Sequence, residues 1–333
     1  MGNAPYKPAV VWYPEFVEKL PDLSDKVVAV TGSTSGTGLI FAKTCALKGT
    51  KAILMLNRPS ERATAAEAQV KECIPDGKTT TVETIPCDLQ DFESVRAAAN
   101  AIKAKYEALD VLCNNAGIMA FDDVATKDGY DVQMQTNHLS HFLLTKELFP
   151  LLKRAKELRG EARVVQHSSM ARYGAPLKRE YFGKNGGNLG GNGGYMFTNG
   201  ARWQRYHQTK LANSVFTVAL KEKLANTGIK AAVAAPGLSA TNLQVTTNQQ
   251  GGMGSADMMI MHLSQSAEDG TMPLLAACFD PSTENGDFWE PANRGGISGP
   301  ATKVKYDKQT MSPDNAQLLW EASEEACGKF EIN

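Results

Sequence analysis

The sequence has no long hydrophobic run, because no segment approaches the ~20 apolar residues that a membrane-spanning helix needs. It also has little net charge, since 35 lysines and arginines balance 36 acidic residues to give −1. This balance excludes a broad electrostatic attraction to nucleic acid or to an anionic membrane. The first residues lack the basic-then-apolar order of a secretory signal. We therefore expect a cytoplasmic protein, with an organelle as the alternative.

Paired cysteines are lacking as well. The six cysteines include no Cys-x-x-Cys pair, which argues against a disulfide framework or a zinc site. His138 and His141 lie close together on a predicted helix, but no carboxylate or third ligand accompanies them. We predict no metal, hydrogen-bonded or packed histidines, and small buried thiols at Cys45, Cys73, Cys87, Cys113, Cys278 and Cys327.

What is present is an apolar share of 42% in 333 residues, enough for a substantial core. Short apolar runs alternate with segments of helical periodicity. The predicted strands are 26–30, 51–56, 80–87, 110–114, 163–167 and 229–235, and the predicted helices are 39–48, 60–73, 91–106, 130–158 and 206–226. The alternation predicts an α/β fold, a doubly wound parallel sheet with helices on both faces.

Additions flank and interrupt this pattern. Residues 1–25 form a proline-containing N-terminal extension, and 26–333 form a single domain. Within that domain, 173–205 is an insertion whose Gly/Asn-rich part, 183–194, has little to bury and is predicted to be a mobile loop. The remainder, 242–333, is predicted to be a substrate lid and C-terminal region.

A glycine-rich turn lies between the first strand and the first helix of the alternation. Glycines let a backbone turn tightly against a pyrophosphate, and the following helix start offers free amides to it. The spacing is Gly-x-x-x-Gly-x-Gly rather than the Gly-x-Gly-x-x-Gly of the common dinucleotide motif, and a purely structural turn is the alternative. We predict cofactor binding at Gly32, Ser33, Thr34, Ser35, Gly36, Thr37 and Gly38.

The end of the second predicted strand has no acidic residue that would bind an adenosine ribose. It has Arg58 instead, with Asn57 and Arg62 nearby. A basic group at this place can neutralise a ribose phosphate, which favours NADP over NAD. The alternative is a solvated arginine at a strand end.

Tyr206 and Lys210 are four residues apart and so share one helix face. A positive charge near a phenol stabilises tyrosinate, so Lys210 and an oxidised nicotinamide are expected to lower the pKa of Tyr206. An exposed pair is the alternative for this motif taken alone. Polar or glycine-containing segments that follow other strands accompany it: Asn114-Asn115-Ala116-Gly117, Ser168-Ser169 and Pro236-Gly237.

The order of these segments, with Asn137 between them, resembles the short-chain dehydrogenase/reductase family over roughly residues 26 to 241. The stretches 135–142, 210–213 and 319–324 are similar to the branch with retinol dehydrogenases, the WW-domain oxidoreductase and light-dependent protochlorophyllide reductase. The resemblance implies a Rossmann-like oxidoreductase domain with a small-molecule substrate. Arg58 favours NADP(H) as the cofactor, and the methionines that follow Pro236-Gly237 favour a lipophilic substrate. It also implies a homodimer or homotetramer.

The same resemblance implies a role for each matched residue. Tyr206 would exchange a proton with the substrate oxygen, Lys210 would hold the nicotinamide ribose, Ser169 would orient the substrate, and Asn137 would support a water in a proton relay. The matched cofactor-lining positions are Asp88, Leu89, Asn114, Ala116, Gly117, Tyr206, Lys210, Pro236, Gly237 and Thr241.

Three departures from the family pattern concern substrate rather than chemistry: the 173–205 insertion, His167 before the serine pair and Ala235 before Pro-Gly. Met253, Met258, Met259 and Met261 suit an adaptable apolar lid, with ordinary packing as an equal alternative. The leading hypothesis is reversible carbonyl/alcohol redox, in the direction of reduction. NADPH-dependent C=C reduction and a non-catalytic dinucleotide sensor are the alternatives.

Overall fold

An eight-stranded sheet forms the centre of the protein in a computed structural model that describes residues 8–194, 200–254 and 261–332. The strand order is β3-β2-β1-β4-β5-β6-β7-β8. Strands β1 to β7 are parallel, and β8 is antiparallel to β7. The strands are Val27–Thr31 (β1), Ala52–Asn57 (β2), Thr81–Pro86 (β3), Val111–Asn114 (β4), Ala162–His167 (β5), Ile229–Ala234 (β6), Phe288–Asn293 (β7) and Ser298–Val304 (β8).

Helices cover both faces of the sheet, because alternate side chains of each strand bury on opposite sides. In β1, Val27 and Ala29 join one apolar cluster, and Val28 and Val30 join the other. The helices are Tyr13–Lys19 (α1), Gly36–Leu47 (α2), Glu61–Lys71 (α3), Phe92–Lys105 (α4), Val132–Met134 (α5), Ser140–Arg159 (α6), Ala201–Lys223 (α7), Asn242–Gln249 (α8), Ala267–Phe279 (α9) and Pro313–Cys327 (α10). The predicted α/β doubly wound fold is confirmed.

An unbroken helical stretch over 132–159 matches the helix predicted over 130–158, but five of its residues are π-helical and not α-helical. The π-helical segment Gln135–Leu139 separates α5 from α6, and the amide of Ser140 donates to the carbonyl of Gln135, five residues back. A π-helical segment adds one residue to a helical turn. This addition changes the apolar pattern too little to be predicted from the sequence. Strands β7 and β8 were not predicted from the sequence. Their pairing contains a register shift between Pro291 and Asn293.

The N-terminal extension packs on the domain through α1. The buried carboxylate of Asp269, in the first turn of α9, accepts hydrogen bonds from the amides of Val11, Trp12 and Tyr13. A carboxylate at the start of α1 also interacts favourably with the positive end of the helix dipole. These bonds fix the start of α1, and with it the predicted N-terminal extension, against the domain.

The Gly/Asn-rich segment 183–194 has tertiary contacts that its composition did not indicate. Amides of Gly187, Leu189 and Gly191 donate to the carboxylate of Asp123, which ties this largely exposed segment to the domain, and its mobility stays a prediction. In the described ranges, no helix has the length and apolar character required to cross a membrane.

Candidate active site

The predicted site residues gather at the carboxyl edge of the sheet. Ser169 follows β5, and its hydroxyl accepts a hydrogen bond from the amide of Ala171 in a short 3₁₀ turn. Its neighbour Ser168 donates instead to the carbonyl of Lys210, at 2.8 Å. The second serine of the pair is therefore the one whose hydroxyl remains available at the site.

Tyr206 and Lys210 lie on α7, where four-residue spacing puts both side chains on the face toward β5. The Ser169 side chain lies close enough to the Tyr206 phenol to lower its pKa. The Lys210 ammonium lies 5.7 Å from the centre of the Tyr206 ring and donates to the His167 carbonyl at 3.1 Å. Ser169, Tyr206 and Lys210 thus form one cluster.

Burial dominates the titration of this cluster. It raises the pKa of Tyr206 above its ordinary value, and the interaction with Ser169 opposes this rise. It also lowers the pKa of Lys210 to about 8. Burial is thus the largest influence on the pKa of Tyr206, and it acts against the lowering that the sequence suggested. The part of that expectation that involves an oxidised nicotinamide stays a prediction.

Asn137 lies in the π-helical segment and clamps the chain that follows β4. Its amide oxygen accepts from the Ile118 amide at 2.8 Å, and its amide nitrogen donates to the Ile118 carbonyl and to Thr209, both at 2.9 Å. A Cβ added to Gly117 would lie 3.3 Å from both Asn137 Oδ1 and Lys210 Nζ. Glycine is thus required for this close approach, and the relay role of Asn137 stays a prediction.

The glycine-rich turn has the geometry of a close backbone cradle. Gly32 has φ +69°, and a Cβ there would lie 2.8 Å from Ala116, while a Cβ on Gly38 would lie 2.4 Å from the Gly32 carbonyl. Ser33 and Thr37 turn inward, whereas Thr34, Ser35 and Gly36 are half-buried at the rim. No side chain of the described chain caps the start of α2, so its first amides are open to an anion.

The three residues proposed to bind a ribose phosphate near the end of β2 have different environments. Asn57 is buried and holds the turn, because its side chain accepts from the Ser33 amide at 2.9 Å and donates to the Ser33 hydroxyl at 3.0 Å. Arg58 is exposed next to it. Arg62, also exposed, donates to the Ser35 hydroxyl at 3.1 Å. The two arginines flank the turn, and Asn57 acts on its shape.

Asp88, Leu89 and Asn114 line the same edge. The Asp88 amide donates to Ser94, the Leu89 carbonyl accepts from Ser140 at 2.6 Å, and Asn114 donates to Thr145 at 3.0 Å. These bonds fix the ends of β3 and β4 against α4 and α6.

Asn115 was not selected from the sequence, although it binds more partners than its neighbours. It donates to the Thr31 carbonyl and accepts from Thr37 and His167, each at 2.9 Å. It therefore ties the glycine-rich turn to the ends of β4 and β5. The signal for it was present in the Asn-Asn pair, but only the tertiary structure shows which asparagine makes these bonds.

Pro236-Gly237 and Thr241 lead from β6 into α8. Gly237 has φ +66°, and a Cβ on it would lie 2.4 Å from the Ile297 carbonyl. Thr241 donates to Gln244 at 2.8 Å, and a Cβ built on Gly36 would lie 3.4 Å from Thr241. The start of α8 therefore lies against the glycine-rich turn, as a cofactor contact from Thr241 requires.

Apolar side chains enclose the phenol of Tyr206. Trp203 crosses its ring edge-to-face with 5.8 Å between ring centres, and Met119, Ala120 and Met253 complete a buried cluster with both rings. Of the other three methionines, Met261 lies in a 3₁₀ turn, and Met258 and Met259 lie outside the described residues. Part of the predicted lid thus reaches the site through Met253.

The paired histidines face different partners. His138 bonds to Ser323, and His141 bonds to Thr31, both at 2.9 Å. The predicted hydrogen-bonded histidines are confirmed, as are buried thiols at five of six cysteines, with Cys73 half-buried. His141 also bonds to the Asn137 carbonyl at 3.0 Å, so it links β1 to the π-helical segment.

Comparisons with known proteins agree with this geometry. The short chain dehydrogenase family model matches residues 26–181. A short-chain dehydrogenase/reductase of Armillaria gallica is 32% identical over 99% of this chain and 100% of its own. An uncharacterized oxidoreductase of Schizosaccharomyces pombe is 38% identical over 67% of this chain and 63% of its own, so the match spans less than two thirds of that protein.

A solved structure of an uncharacterized protein from Mycobacterium paratuberculosis has the same fold. It is 30% identical, with a TM-score of 0.71, over 95% of this chain and 98% of that one. The sheet, the glycine-rich turn and the near-full-length relatives lead to one conclusion. The chain belongs to the short-chain dehydrogenase/reductase family and is an oxidoreductase with a Rossmann fold for a nicotinamide dinucleotide.

Proposed function

We propose that this protein uses NADP(H) to interconvert a carbonyl and an alcohol, and that it reduces a lipophilic aldehyde or ketone. The observation that carries the proposal is the pairing of Ser169 with Tyr206 beside Lys210, inside an apolar enclosure. The three side chains supply the functions that such a reaction needs: a proton donor, an orienting hydroxyl and a nearby positive charge.

In this proposal the nicotinamide, when bound, supplies the hydride. Tyr206 gives its phenolic proton to the substrate oxygen, and Ser169 orients that oxygen with a hydrogen bond. Lys210 binds the nicotinamide ribose. Because burial raises the pKa of Tyr206, the phenol holds its proton at neutral pH, which is the form that carbonyl reduction requires.

The enclosure supports a neutral, lipophilic substrate. Trp203, Met119 and Met253 present apolar surface next to the phenol. The buried charge nearest in sequence to Ser169 is Arg172, and it is already paired with Glu290 at 2.6 Å and with Asp307 at 3.2 Å. A substrate carboxylate would have to compete with these acids, which disfavours acidic substrates.

The glycine-rich turn and its flanking arginines support NADP(H). The turn can fold this tightly only because Gly32 and Gly38 lack a Cβ, and a tight glycine turn before a helix suits a pyrophosphate. Exposed Arg58 follows β2 directly, and exposed Arg62, in the first turn of α3, donates to Ser35 of the turn at 3.1 Å. We propose that these two guanidinium groups bind the ribose phosphate.

Replacement of Arg58 by alanine tests the cofactor preference. We expect the Kd of NADPH to rise roughly ten- to a hundredfold, because one charge-assisted hydrogen bond is lost. The Kd of NADH should stay within about twofold, since NADH has no ribose phosphate to lose. Nucleotide fluorescence titration measures both, with exposed Arg154→Ala as the control. An equal loss for NADPH and NADH would contradict the assignment.

The whole proposal is tested by titrating the purified protein with NADPH and NADH and then following nicotinamide absorbance with bulky aldehydes, ketones and enones. Preferred NADPH binding with turnover of a carbonyl would support it. Product analysis with enones separates attack on C=O from attack on C=C. Failure to bind either nucleotide would overturn it.

A further inference from the structure

The Gly/Asn-rich part of the insertion is folded around one buried carboxylate. The Asp123 side chain is 2% exposed and accepts from the amides of Gly187 at 3.0 Å, Leu189 at 2.7 Å and Gly191 at 2.9 Å. The Asp123 amide in turn donates to the Asn192 side chain at 2.6 Å. Glycines suit this arrangement because several successive amides must turn toward one anion. The segment is thus fixed to the chain that follows β4.

This folded segment presents the Asn192 carbonyl to Arg202, one helical turn before Tyr206. Arg202 Nε donates to that carbonyl at 3.0 Å, and Nη1 donates to the Gln250 carbonyl at 2.7 Å. Nη2 pairs with Asp122 at 2.8 Å, and the Arg202 side chain is 6% exposed. One guanidinium therefore joins the catalytic helix α7 to the insertion, to the loop after β4 and to the end of α8.

The end of α8 lies directly over the phenol. Trp203 Nε1 donates to the Gly252 carbonyl at 2.9 Å, and Thr247 donates to the Met119 carbonyl at 3.0 Å. Met253 then packs on Trp203 and Tyr206. The segment 242–253 therefore covers the Tyr206 phenol, and Arg202 bonds to it at Gln250.

We propose that Arg202 is a positioning residue that holds segment 242–253 over Tyr206, and that the Gly/Asn-rich insertion orients Arg202 for this task. Arginine suits the position because its planar fork donates in three directions at once, whereas a lysine ammonium has neither that reach nor that geometry. The inference goes beyond the proposed function and rests on it only for a kinetic readout. It gives the insertion a role in substrate retention.

The test is Arg202→Met in the full-length protein, measured by hydrogen–deuterium exchange. In the wild type the amides of Gln250, Gly251 and Gly252 donate to carbonyls of residues 246–248. We expect their exchange to become at least tenfold faster in the variant. We also expect the KM of a bulky carbonyl substrate to rise about tenfold, with kcat and the Kd of NADPH within about threefold of wild type.

Arg163→Met is the matched control. Arg163 is 5% exposed and also binds one carboxylate and two carbonyls, Glu161, Ala277 and Asp280, but it lies in β5 on the side away from the lid. It should lower thermal stability to a similar extent without changing exchange in 246–252. If Arg202→Met fails to fold, Asp123→Asn weakens the insertion together with the 3.7 Å pairing of Asp123 with Arg205, and it should accelerate the same amides.

The outcomes separate the positioning role of Arg202 from the proposed function. Unchanged exchange in 246–252 in a folded Arg202→Met protein, or in folded Asp123→Asn, overturns the positioning role. Equal acceleration in the Arg163→Met control also overturns it, since the effect would then be general destabilisation. Faster exchange in a protein that turns over no carbonyl supports the positioning role while the proposed function fails.

Discussion

Tyr206→Phe is expected to lower kcat for carbonyl reduction by about 10²–10⁴-fold, because it removes the proton donor and nothing else. Phenylalanine keeps the apolar ring that packs edge-to-face on Trp203, so the enclosure and the Kd of NADPH should not change. Steady-state kinetics with the best substrate of the panel and a nucleotide titration measure the two effects separately.

Tyr181→Phe is the control for this substitution. Tyr181 is also buried, in the 3₁₀ turn Arg179–Phe182, and burial raises its pKa too. Its phenol lies outside the Ser169 cluster, so kcat should stay within about twofold. If Tyr206→Phe kept more than a tenth of the wild-type kcat, another group would be the proton donor.

The raised pKa of Tyr206 also predicts how the two directions of reaction depend on pH. Reduction needs the protonated phenol, which persists at every pH below that raised value, so its rate should be flat from about pH 6 to 8. Alcohol oxidation needs the tyrosinate and should therefore become faster as pH rises. Initial rates in both directions over this range test the sign. A reduction rate that falls steeply above pH 6 would contradict it.

Lys210→Met is expected to abolish most activity and at the same time to stabilise the protein. Burial lowers the pKa of Lys210 from 10.5 to about 8, which corresponds to ~3 kcal/mol of destabilisation when the ammonium is charged. Methionine of similar length avoids this cost. The His167 carbonyl keeps a second donor, Asn213, at 3.0 Å, so little is lost with the ammonium. We expect a net gain of about 1–2 kcal/mol in unfolding free energy.

The gain should depend on pH in a definite direction. Between about pH 8 and 10.5 the unfolded chain binds the Lys210 proton and the folded chain does not, so wild-type stability rises with pH. The advantage of the methionine variant is therefore full below pH 8 and disappears toward pH 10.5. Urea unfolding at pH 7 and at pH 10 measures it.

Lys146→Met is the control for the charge effect. The Lys146 ammonium also donates to a backbone carbonyl, that of Cys327 at 2.7 Å, but its side chain is 20% exposed and remains partly solvated. This variant should show no stabilisation at pH 7. If Lys210→Met were less stable than wild type at pH 7, burial of the charged Lys210 ammonium would not destabilise the folded protein.

Part of the architecture was predictable because it follows from local pattern. Strands of a parallel sheet are buried on both faces, so they read as short apolar runs, and the first six strands were located within about two residues. The last two strands lack this pattern. β8 is largely half-buried or exposed, and β7 contains Pro291, so neither resembled the others.

The residues proposed to touch the reacting groups could also be chosen in advance, whereas those that hold them could not. Ser169, Tyr206 and Lys210 belong to short motifs whose order is informative. Arg202 belongs to no motif, and the Asn114-Asn115 pair did not show which asparagine would bond to distant partners. Arg202 bonds to Gln250, and Asn115 bonds to Thr31.

The sequence alone determined the first six strands, the glycine-rich turn, and the candidate serine, tyrosine and lysine. Each of these depends on residues within one strand, one turn or one helical turn. The tertiary structure decided the rest. It decided that burial raises the pKa of Tyr206, that Asn137 lies in a π-helical segment, and that a glycine-rich insertion folds around Asp123. These features depend on desolvation and on hydrogen bonds between segments, which exist only when the chain has folded.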